Sequence, residues 1–122
     1  MKPIELSTGR IKTTIRWFPG ILLGLKRQVG KTQAVLELIH EEHEGRAVIF
    51  SPSKEFSEIA KRRYEGMYPQ DTKALFACTT THLRGFRFPV YVDEWWVLPR
   101  ETRVDLMNTG LVVCRIGTET EF

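Results

Sequence analysis

The spacing of hydrophobic positions changes period several times along the chain, and each change marks an element. Residues 10–18 mix β-branched and aromatic side chains and end at Pro19-Gly20, a composition that predicts a first strand. Ile21-Leu22-Leu23-Gly24-Leu25 is a short apolar strand, followed by a polar turn over 26–30. From Lys31 the period becomes helical, with Val35, Leu38 and Ile39 at i, i+3 and i+4. This helix should end near 43–45, where Gly45 can adopt the left-handed cap. Residues 47–50 form the next apolar run, closed by Ser51-Pro52-Ser53. A serine there can cap a helix in which Phe56, Ile59, Ala60 and Tyr64 share one face. Strands are expected at 75–79 and 90–92, and a short helix over 100–108 stopped by Gly110. The run at 111–116, apolar apart from Arg115, reads as a buried strand. Strands alternating with helices predict an α/β fold, with a mainly parallel sheet and helices on both faces.

A chain of 122 residues has room for one domain with a modest core. Hydrophobic residues make up 42% and charged residues 27%, which excludes collagen-like and disordered classes. The apolar runs are too short to cross a membrane, and no basic-then-apolar leader opens the chain. A cytoplasmic protein with no membrane partner is therefore expected. Cys78 and Cys114 lie in strand-like runs and read as buried thiols in a reducing compartment. The net charge is +3, with Lys61-Arg62-Arg63 as the densest basic run and Arg84, Arg87, Arg100, Arg103 and Arg115 in the second half. A solvated surface and a nucleic-acid or nucleotide face are equally open on that evidence.

The turn between the Ile21 strand and the Lys31 helix changes this picture. Arg27-Gln28-Val29-Gly30-Lys31-Thr32 stands where a strand passes into a helix, the context of a phosphate-binding loop. Backbone N–H groups and the helix dipole favour anions there. Gly30 allows close approach, Lys31 can reach the β- and γ-phosphates, and the Thr32 hydroxyl can ligate Mg²⁺. Leu25 occupies the position of the usual first glycine, and Gly24 falls one place early, so the loop is a variant. The acids Asp93 and Glu94 end the apolar run Val90-Tyr91-Val92 downstream. Asp93 would hold Mg²⁺ and Glu94 would polarise the attacking water, which together predict an ATPase.

These segments resemble the ATPase motor of large terminase subunits, which package viral DNA. Arg27-Gln28-Val29-Gly30-Lys31-Thr32 is similar to their deviant Walker A loop, and Arg46 to Arg63, with Ala47-Val48-Ile49-Phe50-Ser51-Pro52-Ser53-Lys54 and a following helix, to the strand and helix that come next. Leu83-Arg84-Gly85 leading into Val92-Asp93-Glu94 resembles their Leu-Arg-Gly segment and Walker B strand, and Gly117-Thr118 stands in place of the coupling motif. The resemblance implies a single P-loop NTPase domain in which 1–20 form an adenine-side segment and 21–122 the motor core. It places the Ile21 strand and the Walker B strand on either side of the strand ending at Gly117. It further implies ATP and Mg²⁺ as cofactors, nucleotide contacts from Arg27, Gln28, Val29, Gly30, Lys31, Thr32 and Gln33, and metal ligation by Thr32 and Asp93. Glu94, Lys31 and Arg84 would be catalytic, Arg84 as an arginine finger toward a neighbouring subunit. Partners implied are double-stranded DNA and a ring of like subunits or other packaging-motor subunits, in a viral protein acting in host cytoplasm. The coupling motif runs into Glu119 instead of proline, and no nuclease segment is present, so DNA cleavage is not expected. A non-hydrolysing nucleotide-dependent module and a helicase-like fragment needing a second chain are the alternatives.

Other residues carry weaker signals. His40-Glu41-Glu42-His43 has histidines at i and i+3, not the i and i+4 of zinc proteases, and reads as a solvated helix end. Trp95 and Trp96 could stack on a base or dock a subunit, with partly buried packing the favoured reading. Arg27 is an alternative source of the finger charge. Trp17 and Phe18 could cover an adenine, although a core role is the stronger expectation.

Overall fold

A computed structural model describes residues 8–18, 20–25, 31–83, 85 and 87–118. Five strands, β1 (Ile21–Leu25), β2 (Val48–Phe50), β3 (Leu75–Ala77), β4 (Val90–Val92) and β5 (Val112–Thr118), form one all-parallel sheet in the order β1-β5-β4-β2-β3. Parallel neighbours need crossovers, which α2 (Lys31–His43), α3 (Lys54–Met67) and α4 (Arg100–Asn108) help supply. The sheet is covered on both faces, as the alternation along its strands requires. Ile49, Tyr91, Cys114 and Ile116 point into a core with the helices α1 (Thr8–Trp17), α2 and α3. Their neighbours Val48, Phe50, Val90 and Val92 point into a second core with Leu83, Trp95, Leu98 and Leu106. The strand β5 lies between β1 and β4, with Gly24 opposite Gly117.

Residues 10–18 do not form the expected strand. They belong to α1, because the spacing of Ile11 and Ile15 puts both side chains on one buried stripe against α2. The β-branched composition is accommodated when the Thr13 and Thr14 hydroxyls donate back to the Gly9 and Arg10 carbonyls, at 2.9 and 2.8 Å. Lys12 pairs with Glu41 at 2.7 Å, while Arg16 reaches Glu41 at 2.8 Å and Glu42 at 2.5 Å. Trp17 and Phe18 are not core residues: they are 75% and 60% exposed.

The Ser53 hydroxyl accepts from the Phe56 N–H and caps α3, but the buried stripe of that helix is Ser57, Ala60 and Tyr64. Phe56 and Ile59 face solvent, one position off the expected face. The helix α2 closes as expected, with Glu44 and Gly45 both left-handed. The third strand stops at Ala77, which leaves Cys78 half-buried. Cys114 is buried, and burial pushes its thiol up to about 12. Both thiols are free.

At the amino end of β3, Asp71 ties several segments together. It accepts from the Tyr64 hydroxyl and from the Lys73 N–H, and His40 Nδ1 lies 3.6 Å from it. Its carboxylate fills the space a Cβ on Gly45 would need. Burial works to raise this carboxyl, yet the hydrogen bonds from Tyr64 and Lys73 and the neighbouring His40 hold it below the usual range. His40 also stacks on Tyr68, and His43 Nε2 meets the buried Tyr91 hydroxyl at 2.7 Å, so this acidic helix end is engaged in packing. No helix among the described residues is long and apolar enough to cross a membrane.

Candidate nucleotide site

The carboxyl ends of parallel strands are where α/β sheets place ligand groups, since the chain there leaves the ladder and the next helix begins. Lys31 and Thr32 open α2 on this edge, just after the segment that leaves β1. Asp93 comes directly after β4 and extends the ladder by one bond, its N–H donating to the Phe50 carbonyl at 2.9 Å. Alternation turns the Asp93 side chain to the same face as Tyr91, toward α2.

The result is a contact between residues 61 apart in sequence: Thr32 Oγ1 donates to Asp93 Oδ2 at 3.3 Å. Asp93 Oδ1 accepts from the Glu94 N–H at 2.9 Å. Only 8% of Asp93 is exposed, and burial, reinforced by the nearby Glu94 charge and opposed by Lys31, raises its carboxyl to about 6. Lys31 Nζ lies 3.1 Å from Glu94 Oε1, with both side chains largely sheltered. Glu94 itself sits in the left-handed region (φ 51°, ψ 49°), where a non-glycine residue carries a backbone cost of roughly 1 kcal/mol. That conformation turns the chain from β4 into a 3₁₀ turn, Trp95–Val97.

Four sequence-predicted residues, Lys31, Thr32, Asp93 and Glu94, therefore converge. Gln33 does not join them, because its amide oxygen accepts from Arg63 of α3 at 3.2 Å. Arg27, Gln28, Val29, Gly30 and Arg84 lie outside the described residues. The carboxylate and hydroxyl oxygens of Asp93 and Thr32 are hard donors of the kind Mg²⁺ takes. A buried carboxylate with a raised pKa has reason to accept a cation there. No cluster of three or more His, Cys, Asp or Glu side chains able to hold a metal occurs among the described residues.

Three further residues around this edge take places that the sequence reading did not assign to them. The Ser51 hydroxyl is buried with no hydrogen-bond partner among the described residues, at the carboxyl end of β2 and on the same face as Ile49. Arg115 stacks its guanidinium over Trp95, 5.1 Å from the ring centroid, and donates to the Gly20 carbonyl at 3.1 Å. Trp96 lies against Gly117, where an added Cβ would come 2.6 Å from its ring and 3.2 Å from the Trp95 nitrogen. The tryptophan pair is thus divided, with Trp95 buried and Trp96 partly exposed over the end of β5. No signal in the sequence separates these roles, because each depends on which strand lies next to which.

No family model matches the chain, and no curated protein does either.

Proposed function

We propose that the chain binds Mg-ATP at the carboxyl edge of β1 and β4 and hydrolyses it, as the ATPase motor of a terminase-like DNA-packaging machine. The observation that carries this reading is the meeting of Thr32 with Asp93, 61 residues apart in sequence, and of Lys31 with Glu94 beside them. Lys31 supplies the charge that receives the phosphates, and Thr32 and Asp93 are the residues that would hold Mg²⁺. A bound Mg²⁺ would neutralise charge on the phosphate oxygens. Glu94 orients the attacking water and takes its proton. Glu94 is paired with Lys31 at 3.1 Å, so Lys31 has to turn to the phosphates for Glu94 to act. Double-stranded DNA and a ring of copies are the partners this reading carries, on the terminase resemblance of the Walker and Leu83-Arg84-Gly85 segments. A cytoplasmic site of action belongs to the same proposal.

The Lys31–Glu94 pair also favours a second reading, a nucleotide-dependent module that binds without turnover, since the base is already occupied. Calorimetric ATP binding and steady-state phosphate release, with and without duplex DNA, separate the two. Lys31→Ala should weaken Mg-ATP binding by roughly tenfold to a hundredfold through loss of a charged hydrogen bond. Glu94→Gln should retain binding and lower turnover by about 10²-fold or more. Wild-type turnover in Glu94→Gln would remove Glu94 as the base, and unaltered binding in Lys31→Ala would remove the site.

A further inference from the structure

The helix α4 presents a second surface with its own chemistry. Arg100, Arg103, Val104, Met107 and Asn108 share one face and, with the Trp95 ring, line a groove of about 510 Å³. Val104 and Met107 are 49% and 44% exposed, and Val97, two residues from Trp95, is more exposed still. The rim is positive. Among the described residues neither Arg100 nor Arg103 has a carboxylate partner, and Arg103 Nε is buried with no hydrogen-bond acceptor. Glu101 and Asp105, the acids of this helix, do not line the groove. Pro99 at the N-cap supplies no side-chain oxygen to the first turn.

The two rim arginines, which have no carboxylate partner among the described residues, call for anion chemistry. The groove is open along its length. Small ligands are instead held in enclosed concavities that bury most of their surface. A phosphate backbone would leave Val104 and Met107 uncovered, whereas an amphipathic helix covers such a floor with side chains at i and i+4. We propose that this groove docks an acidic amphipathic helix of a partner protein, its apolar residues on Trp95, Val104 and Met107 and its carboxylates on Arg100 and Arg103. The proposal is independent of the Mg-ATP reading, because none of these groove residues belongs to that site.

The probe is a peptide selected from a displayed random 14-residue library against the full chain, then synthesised with a fluorescent label. The expected peptides carry Asp or Glu beside apolar residues at helical spacing. Their affinity should fall at least about tenfold, or 1.4 kcal/mol, in both Arg103→Glu and Met107→Glu. It should hold in Lys61→Glu, a charge reversal on α3. Circular dichroism melts check the fold of each variant. Where reversal at 103 costs the fold, Arg103→Gln and Val104→Glu replace the pair and should show the same loss. Mg-ATP binding should be unchanged in Met107→Glu, so failure here and failure of the nucleotide site are distinguishable. Selected peptides without acidic residues, or equal affinity in the groove variants, would overturn the proposal. So would single-stranded DNA that binds the chain and is lost on Arg103→Glu but kept on Met107→Glu, the behaviour of a nucleic-acid face.

Discussion

A buried aspartate beside a glutamate is an expensive arrangement, and the cost at Asp93 depends on pH. Its carboxyl is raised from 3.8 to about 6, so the folded state binds this proton more tightly than the unfolded chain does. The associated stability is fully present below pH 3.8 and is lost as pH rises through about 6. Two pKa units correspond to about 3 kcal/mol. Ligand-free Asp93→Asn should therefore melt above the wild type at pH 8, and the two should converge near pH 4; thermal denaturation across that range reads it. Mg-ATP affinity should fall as pH drops below about 6, since the ligating form is the ionised one, and titration calorimetry at pH 5 and 8 checks this. Lys31, Thr32, Asp93 and Glu94 were legible as residue types in a spacing. The Lys31–Glu94 pair, the left-handed Glu94 and the orphan Ser51 hydroxyl were not, because each is set by distances between segments far apart in sequence.

Among the elements, α1 shows where composition misleads. Threonine and isoleucine favour strands in general, but Ile11 and Ile15 at i and i+4 have a partner in α2, and tertiary packing outweighs propensity. Ile11→Ala should cost about 2–5 kcal/mol as a core truncation, measured by urea unfolding. Arg16→Ala should cost less than about 1 kcal/mol, because its pairs with Glu41 and Glu42 are substantially exposed. The reverse ordering would mean that the ion pairs, not the isoleucines, attach α1. In α3 the difference is one of register: Phe56 and Ile59 share hydrophobicity with the true stripe but not its angle. At the junction of β5 with the 3₁₀ turn, Gly117→Ala should destabilise by about 1–3 kcal/mol through overpacking against Trp96. Trp96→Ala in the same chain should recover part of that loss, the remainder lying with the Trp95 backbone; a double-mutant cycle measures the share.

For the molecule as a whole, the alternation of strand and helix made the parallel sheet readable. The position of β5 between β1 and β4 came instead from the terminase-like motif order, since periodicity alone cannot rank strands. The sheet's two ends differ in kind. At the amino end of β3, Asp71 joins Tyr64 and the Lys73 backbone and leaves no room for a side chain on Gly45. At the carboxyl end stand a buried acid next to a second acid and a buried hydroxyl with no partner among the described residues. The molecule is thus built like a clamp, pinned at one end and under tension at the other. Amide exchange should be slowest around Tyr64 and Asp71 and fastest at the Asp93 edge of the ligand-free protein. A cation and an anion arriving together would relieve that tension, so ligand occupancy would be felt first as a stiffening of the loose end.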